Sequence, residues 1–265
     1  RGGGRGRRAR PAGARRPGAA PRGGPAPPGA ARRDAAMSRA FAGACAKAGV
    51  RRLVLASSAA VYGAGAGPVS GYGEAKRAAE VAVRAAFSGP GQGHAVLRCF
   101  NVAGADPENR AGPGRGLVRV ACEAALGMRG DVTVFGTGRD TADGTCVRDW
   151  VHVCDVAAAH LAALRALEGG TDALTADVGA GRGHSVRAVL AAVERAAGAR
   201  IAVRAGSPRP GDVAVSVAAP ERIARLPGWR ARDGSLDAAV RSTLAWLRAE
   251  ARALPGPGPR REAAR

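Results

Sequence analysis

Short apolar runs alternate along this chain with longer stretches whose apolar positions recur every three or four residues. The runs at 51–56, 94–100, 132–135, 174–178 and 201–204 read as strands, being short, apolar and bounded by turn-forming residues. The stretches between them carry a helical period. Asp34 reads as the N-cap of a helix to about residue 48, with Met37, Phe41, Ala44 and Cys45 on one face and Gly49 as its stop. A second helix runs from about Tyr72 to Ala86, with Ala75, Ala79, Val83 and Ala86 along one side. Further helices are expected at 116–128, at 155–167 capped by Asp155, and at 185–197, 220–225 and 235–251. Strands and helices that alternate with short connections predict an α/β fold in which helices cover a parallel sheet. The Gly/Pro-rich stretch 105–115 divides a first unit, 34–105, from a second, 106–252, part of which is expected to return to the first sheet.

The two ends lack this pattern. Residues 1–33 consist only of Arg, Gly, Pro and Ala, with 10 Arg and no acid. Nothing larger than Ala is available to bury, so this segment is expected to be disordered. Residues 253–265 are rich in Pro, Gly and Arg and are expected to fray. The net charge of +20 suggests nucleic acid at first sight. Setting aside residues 1–33 leaves 31 basic against 21 acidic residues, with no basic stripe interleaved with aromatics. An Arg/Gly tail that binds nucleic acid is one reading of 1–33. The blander reading is a wrong-frame product, since all four residue types are encoded by GC-rich codons. No apolar run is long enough to cross a bilayer and no charged segment precedes a signal-like apolar one, so a cytoplasmic protein is expected. Five cysteines without a C-x-x-C pair and four scattered histidines indicate neither a disulfide framework nor a metal site.

Scarcity sharpens the search for chemistry. The chain has two tyrosines, Tyr62 and Tyr72, and two lysines, Lys47 and Lys76, against 39 arginines. Tyr72 and Lys76 are four apart at the start of a helix and therefore share a face. The strand at 51–56 ends in Ser57 and Ser58. A hydroxyl at a strand end facing a Tyr-x-x-x-Lys helix is a way to build an acid–base site beside a nicotinamide. Asn occurs only at 101 and 109, which singles out Asn101 at the end of the 94–100 strand. The glycine loop 63–67 leads directly into no helix. The glycines of 179–184 follow a strand and precede a helix, but the third glycine of a dinucleotide fingerprint is replaced by His184, so this reads as a structural turn. His152 and His160 sit on apolar patterns and read as packed histidines.

Taken together, Ser57-Ser58-Ala59-Ala60-Val61-Tyr62-Gly63, Tyr72-Gly73-Glu74-Ala75-Lys76 and Leu97-Arg98-Cys99-Phe100-Asn101-Val102-Ala103-Gly104-Ala105 resemble the UDP-glucose 4-epimerases, a branch of the extended short-chain dehydrogenase/reductases. The resemblance continues through Phe135-Gly136, the block 143–153 (Asp-Gly-Thr-Cys-Val-Arg-Asp-Trp-Val-His-Val), 179–186 and Arg209-Pro210-Gly211-Asp212. It covers roughly residues 35–250, in order. Tyr-x-x-x-Lys marks only the superfamily; the block 143–153 is specific to the epimerase branch.

The resemblance implies a doubly wound, Rossmann-type parallel sheet with a smaller C-terminal α/β substrate domain, NAD as cofactor and a UDP-sugar as substrate. It implies that Tyr72 is the catalytic base, that Ser58 bonds the sugar 4-hydroxyl, and that Lys76 holds the nicotinamide ribose and favours the Tyr72 phenolate. Ser57 and Phe100 fall at cofactor positions, and Asn101, Phe135, Arg148, Arg209, Asp212 and Ser216 at substrate positions. Two arginines suit a diphosphate through forked, charge-assisted hydrogen bonds. Ser216 stands where family members carry bulky residues, which predicts room for an N-acetyl group. Full-length relatives are often dimers, and the apolar sides of 36–48 and 75–86 fit such a contact.

Two departures accompany the match. The family's opening strand and G-x-x-G-x-x-G loop are not found, leaving the sheet short of about three βα units, roughly 90 residues; the chain as written is expected neither to hold NAD stably nor to turn over. The segment between Ser58 and Tyr72 is shorter than the family's. A nucleotide-sugar dehydratase or decarboxylase, a pseudoenzyme subunit, and an Arg/Gly-rich nucleic-acid binder on a degenerate scaffold are the competing readings.

Overall fold

The structure, a computed structural model, describes residues 29–253 except 109, 232 and 233. The expectations for 1–28 and for the tail beyond 253 lie outside the described residues. The chain opens with α1 (Ala30–Lys47) and β1 (Arg52–Ser58), then a single 3-10 turn (Ala59–Val61), α2 (Gly71–Ala86), β2 (Gly93–Cys99), β3 (Asn101–Ala103) and α3 (Leu117–Ala125). It continues through β4 (Val132–Phe135), β5 (Val147–His152), α4 (Val153–Glu168), β6 (Ala173–Val178), β7 (Gly183–Ser185) and α5 (Val186–Ala197). The last elements are β8 (Val203–Gly206), β9 (Val215–Ser216), α6 (Glu221–Ala224) and α7 (Leu236–Ala253).

Two helix starts differ from the sequence expectation. Helix α1 begins at Ala30 behind Gly29, which has a φ of 79°, so residues 30–33 are helical and Asp34 lies inside the helix rather than capping it. Ala and Arg are good helix formers, and a helix already held further along propagates through them. The carbonyl of Asp34 instead accepts from Ser38 Oγ at 2.8 Å. Likewise α4 starts two residues ahead of Asp155: His152 is its N-cap, its ring Nδ1 accepting from Cys154 N at 3.2 Å. Asp155 sits buried in the first turn, where a carboxylate meets the positive end of the helix.

β1, β2 and β6 form a parallel sheet in that order. Alternation along β1 sends Leu53 and Leu55 toward α1 and α2, where they meet Ala42, Val83 and Phe87. Val54, with Ala95 and Leu97 of β2, faces the opposite layer of α4, where Ala159, Ala162 and Ala163 are buried. The result is a three-layer α/β arrangement, with α4 and β6 supplied by the second half of the chain. A second sheet joins β3, β5 and β7, with β9 beside β5, and β4 pairs with β8. A second core of α3, α5 and α7 packs there, around Trp150, Val189 and Leu244. Helix α1 keeps its Met37–Phe41 stripe outward, Met37 69 % and Phe41 65 % exposed, so those side chains are not part of either core. Among the described residues, no helix is long and apolar enough to cross a membrane.

Candidate active site

Adjacent side chains of a strand face opposite sides, and the two serines that end β1 divide accordingly. Ser57 shares the side of Leu53 and Leu55; its hydroxyl is buried and donates to Glu80 Oε1 of α2 at 2.6 Å. Its expected role at the cofactor is not supported by this placement, because the hydroxyl is committed to the helix. Ser58 faces the other way, accepts from Ala60 N at 3.2 Å and lines a cleft at the carboxyl ends of β1 and β2. That end of a parallel sheet is where ligands of such folds bind.

Helix α2 arrives over the same strand ends. Ser70 caps it, accepting from Gly73 N at 3.1 Å. Gly73 is buried against the 3-10 turn, and a Cβ there would stand 2.4 Å from the Ala60 carbonyl oxygen; the close approach requires glycine. The Lys76 ammonium donates to the Ala56 carbonyl at 2.9 Å and lies 5.8 Å from the Tyr72 ring centroid. Tyr72 is 56 % exposed, presenting its phenol to solvent.

The expected substrate residues gather around two adjoining cavities. The smaller, about 460 Å³, is lined by Ser58, Phe100, Asn101, Arg148, Asp212 and Ser216, together with Cys99, whose thiol burial pushes up to about 11 against the pull of Lys76. The larger, about 810 Å³, is lined by Phe135 and Arg209 and again by Asn101, Arg148 and Asp212. The Arg209 guanidinium lies 3.8 Å above the Phe135 ring centroid. Arg148 is braced by the carbonyls of Val147 and Ala214 at 2.9 and 3.3 Å, with Asp212 at 3.7 Å. Tyr72, Lys76 and Ser57 are not among the lining residues of either cavity.

The turn 179–184 is committed to structure. One buried carboxylate, Asp149, accepts from the backbone of Ala180, Gly181 and Ala218 at 2.8, 2.8 and 3.2 Å, tying the turn and the segment after β9 to β5. His152 is held at its other nitrogen by Ser242 Oγ at 3.0 Å, and His160 Nδ1 lies 2.8 Å from the Val156 carbonyl.

A polar row also crosses the sheet on the α2 side, and sequence reasoning missed it. Ser57, Arg98 and Asp177 are register partners on β1, β2 and β6. Arg98 makes two hydrogen bonds to Glu80, at 2.7 and 3.0 Å, and a third to the Tyr62 hydroxyl at 3.0 Å, which in turn donates to Asp177 at 2.6 Å. Burial alone would raise the Glu80 carboxyl, but the bonds from Arg98 and Ser57 outweigh it and hold it below the usual range. Tyr62 is raised, by burial and by its bond to Asp177. The signal was an acid, Glu80, between Ala79 and Val83 on a helix face that is otherwise apolar.

Residues 19–179 match the NAD dependent epimerase/dehydratase family. A curated UDP-glucose 4-epimerase from Azospirillum brasilense is 41 % identical over 231 residues, covering 82 % of this chain and 66 % of that protein. One from Bacillus subtilis is 34 % identical over 204 residues, covering 71 % and 60 %. Among solved structures, the UDP-glucose-4-epimerase of Stenotrophomonas maltophila with bound NAD and formylated UDP-arabinopyranose superposes with a TM-score of 0.77 at 35 % identity, covering 83 % of this chain and 70 % of that one. That of Bifidobacterium longum with NAD+ and UDP gives 0.75 at 28 %, covering 84 % and 71 %. The chain thus spans between 60 % and 66 % of the length of these two curated relatives.

Proposed function

The chain belongs to the NAD dependent epimerase/dehydratase family, and from that footing we propose that it serves the interconversion of UDP-glucose and UDP-galactose at C4. The observation that carries this reading is the shared wall of the two cavities. Asn101, Arg148 and Asp212 border both, so a single elongated ligand reaches Phe135 and Arg209 at one end and Ser58 and Ser216 at the other. A nucleotide joined to a hexose through a diphosphate has that form. Arg148 and Arg209 supply fixed cationic donors for the diphosphate, and the Phe135 face suits a base.

The described residues fit the nicotinamide end of NAD. Lys76 uses one of its three donors on Ala56 and keeps the others for a ribose diol, while Phe100 closes the wall beside Ser58. No strand, glycine loop and helix for the pyrophosphate stands among them, because the N–H groups of Ala180 and Gly181 are committed to Asp149. When bound, NAD supplies reversible hydride acceptance at the sugar carbon. The chain's own part is proton handling. Ser58 orients the 4-hydroxyl, the Tyr72 phenolate takes its proton and, as the phenol, later returns it to the 4-keto sugar, and the Lys76 ammonium stabilises the phenolate that stands before the first step and is restored after the second. Ser216, a small residue in the hexose cavity, leaves space for an N-acetyl substituent.

We read the partner as a second copy of the chain, docked on the apolar side that α1 and α2 leave uncovered. Met37 and Phe41 are exposed on α1, and Val81 of α2 is exposed beside a groove floored by Ala78, Ala82 and Ala86. Because the chain is expected not to hold NAD stably and so not to turn over unaided, the activity is tested as UDP-galactose conversion with NAD+ in large excess to load the site, beside UDP binding by calorimetry. Turnover lost on the order of 10²-fold or more in Tyr72→Phe, with UDP binding kept, supports the reading; equal turnover in that variant, or no UDP binding by the parent, overturns it.

A further inference from the structure

We propose that Glu80 is a positioning residue for the Tyr72–Lys76 pair: it fastens their helix to the strand that ends in Ser58. The inference rests on the reading of those three residues given above. Tyr72, Lys76 and Glu80 follow one another at four-residue intervals along one stripe of α2. Two of them are stitched to consecutive residues of β1, Lys76 to the Ala56 carbonyl at 2.9 Å and Glu80 to the Ser57 hydroxyl at 2.6 Å. The next residue is Ser58.

The rest of that interface explains why such stitches matter. Helix α2 buries Ala75, Ala79 and Val83, small apolar side chains whose contacts set a distance but hold rotation and sliding weakly. Directional bonds to a buried carboxylate supply the missing constraint. Glu80 is 3 % exposed and is partnered by Ser57, by Arg98 and, at 3.3 Å, by Arg84. A buried carboxylate is tolerated only when so satisfied. The same network reaches the hexose cavity from behind: Arg98 holds Tyr62, Tyr62 holds Asp177, and Asp177 accepts from Ala219 N at 3.3 Å, three residues beyond Ser216. Glu80 therefore joins the elements that carry the proton-handling groups to the wall that receives the sugar.

The test uses the two tyrosines as reporters. The chain labelled with [ζ-13C]tyrosine gives two NMR resonances, assigned with Tyr62→Phe and Tyr72→Phe. Ser57→Ala is expected to displace the Tyr72 resonance and leave that of Tyr62 in place. Glu80→Ala is expected to displace both. Glu80→Gln keeps an oxygen for Ser57 but not the charge that holds Arg98, so it should move Tyr62 and spare Tyr72. A Tyr72 resonance unmoved in natively folded Ser57→Ala and Glu80→Ala overturns the proposal; if Glu80→Ala does not fold, Ser57→Ala decides. These readouts need neither NAD nor substrate, so a failure of the epimerase reading is seen separately. In the turnover assay kcat falls on the order of 10²-fold in Glu80→Ala with KM unchanged, the pattern of a displaced reacting group, and is largely restored in Glu80→Gln; an unchanged kcat in Glu80→Ala contradicts the proposal.

Discussion

Lys76 and Ala56 are twenty positions apart in sequence and 2.9 Å apart in space, ammonium to carbonyl oxygen. That bond fixes a cation beside Tyr72 without placing it in either cavity wall. Lys76→Met is therefore expected to lower UDP-galactose turnover on the order of 10²-fold, while calorimetric UDP affinity stays that of the parent. A loss of UDP affinity equal to the loss of rate would move Lys76 to substrate binding.

Gly73 to Ala sets two effects of opposite sign against each other. Replacing a helical glycine by alanine gains about 0.5–1 kcal/mol. A methyl group 2.4 Å from the Ala60 oxygen forces backbone apart, which costs about 1–3 kcal/mol. The clash should win. The variant is expected to melt several degrees below the parent and to lose turnover, because the 3-10 turn that follows Ser58 is displaced.

Asp106 supplies a pH-dependent contribution. Hydrogen bonds from the Arg110 side chain, with further bonds from the N–H groups of Glu108 and Arg110, bring its carboxyl to about 2. The folded value lies below the unfolded one, so the contribution is full above the ordinary carboxylate range, near 4, and is lost as pH falls toward 2. Thermal melts from pH 6 to 2 should converge for the parent and Asp106→Asn at the acid end and separate above pH 4. A constant gap across that range would contradict the assignment.

Ser216 lines the smaller cavity, proposed to take the hexose, beside Arg148 and Asp212. Filling that space with Ser216→Tyr is expected to exclude UDP-N-acetylglucosamine while UDP-glucose still binds, measured as competition against UDP. Equal exclusion by the parent and the variant would show that Ser216 does not set the pocket's size.

The sequence carried the fold's periodic parts well, for a physical reason. The buried face of α2 at Ala75, Ala79 and Val83, and the run that becomes β2, are local patterns that depend only on which side is dry. Scarcity singled out Tyr72, Lys76 and Asn101 as candidates where spacing alone would not. Long-range pairings were invisible: Ser57 looked like a companion of Ser58 until strand parity and Glu80 claimed it for the other side. Asp155 has the chemistry of an N-cap, yet His152 took that place, because β5 runs straight into α4 with no intervening turn. Met37 and Phe41 show the limit of an apolar stripe as a guide, since it marks a dry face without saying what dries it.

The wall shared by Asn101, Arg148 and Asp212 has a consequence for a ligand caught halfway. On the proposed reading, with the nucleotide held against Phe135 and Arg209, a hexose that swung out of the smaller cavity would still be on a leash. Its return is an intramolecular event at an effective concentration of roughly millimolar, independent of how much sugar nucleotide is in solution. On that reading, a sugar that left the smaller cavity with one face inward could come back with the other before the nucleotide let go, and the length of the leash would set how often it returned.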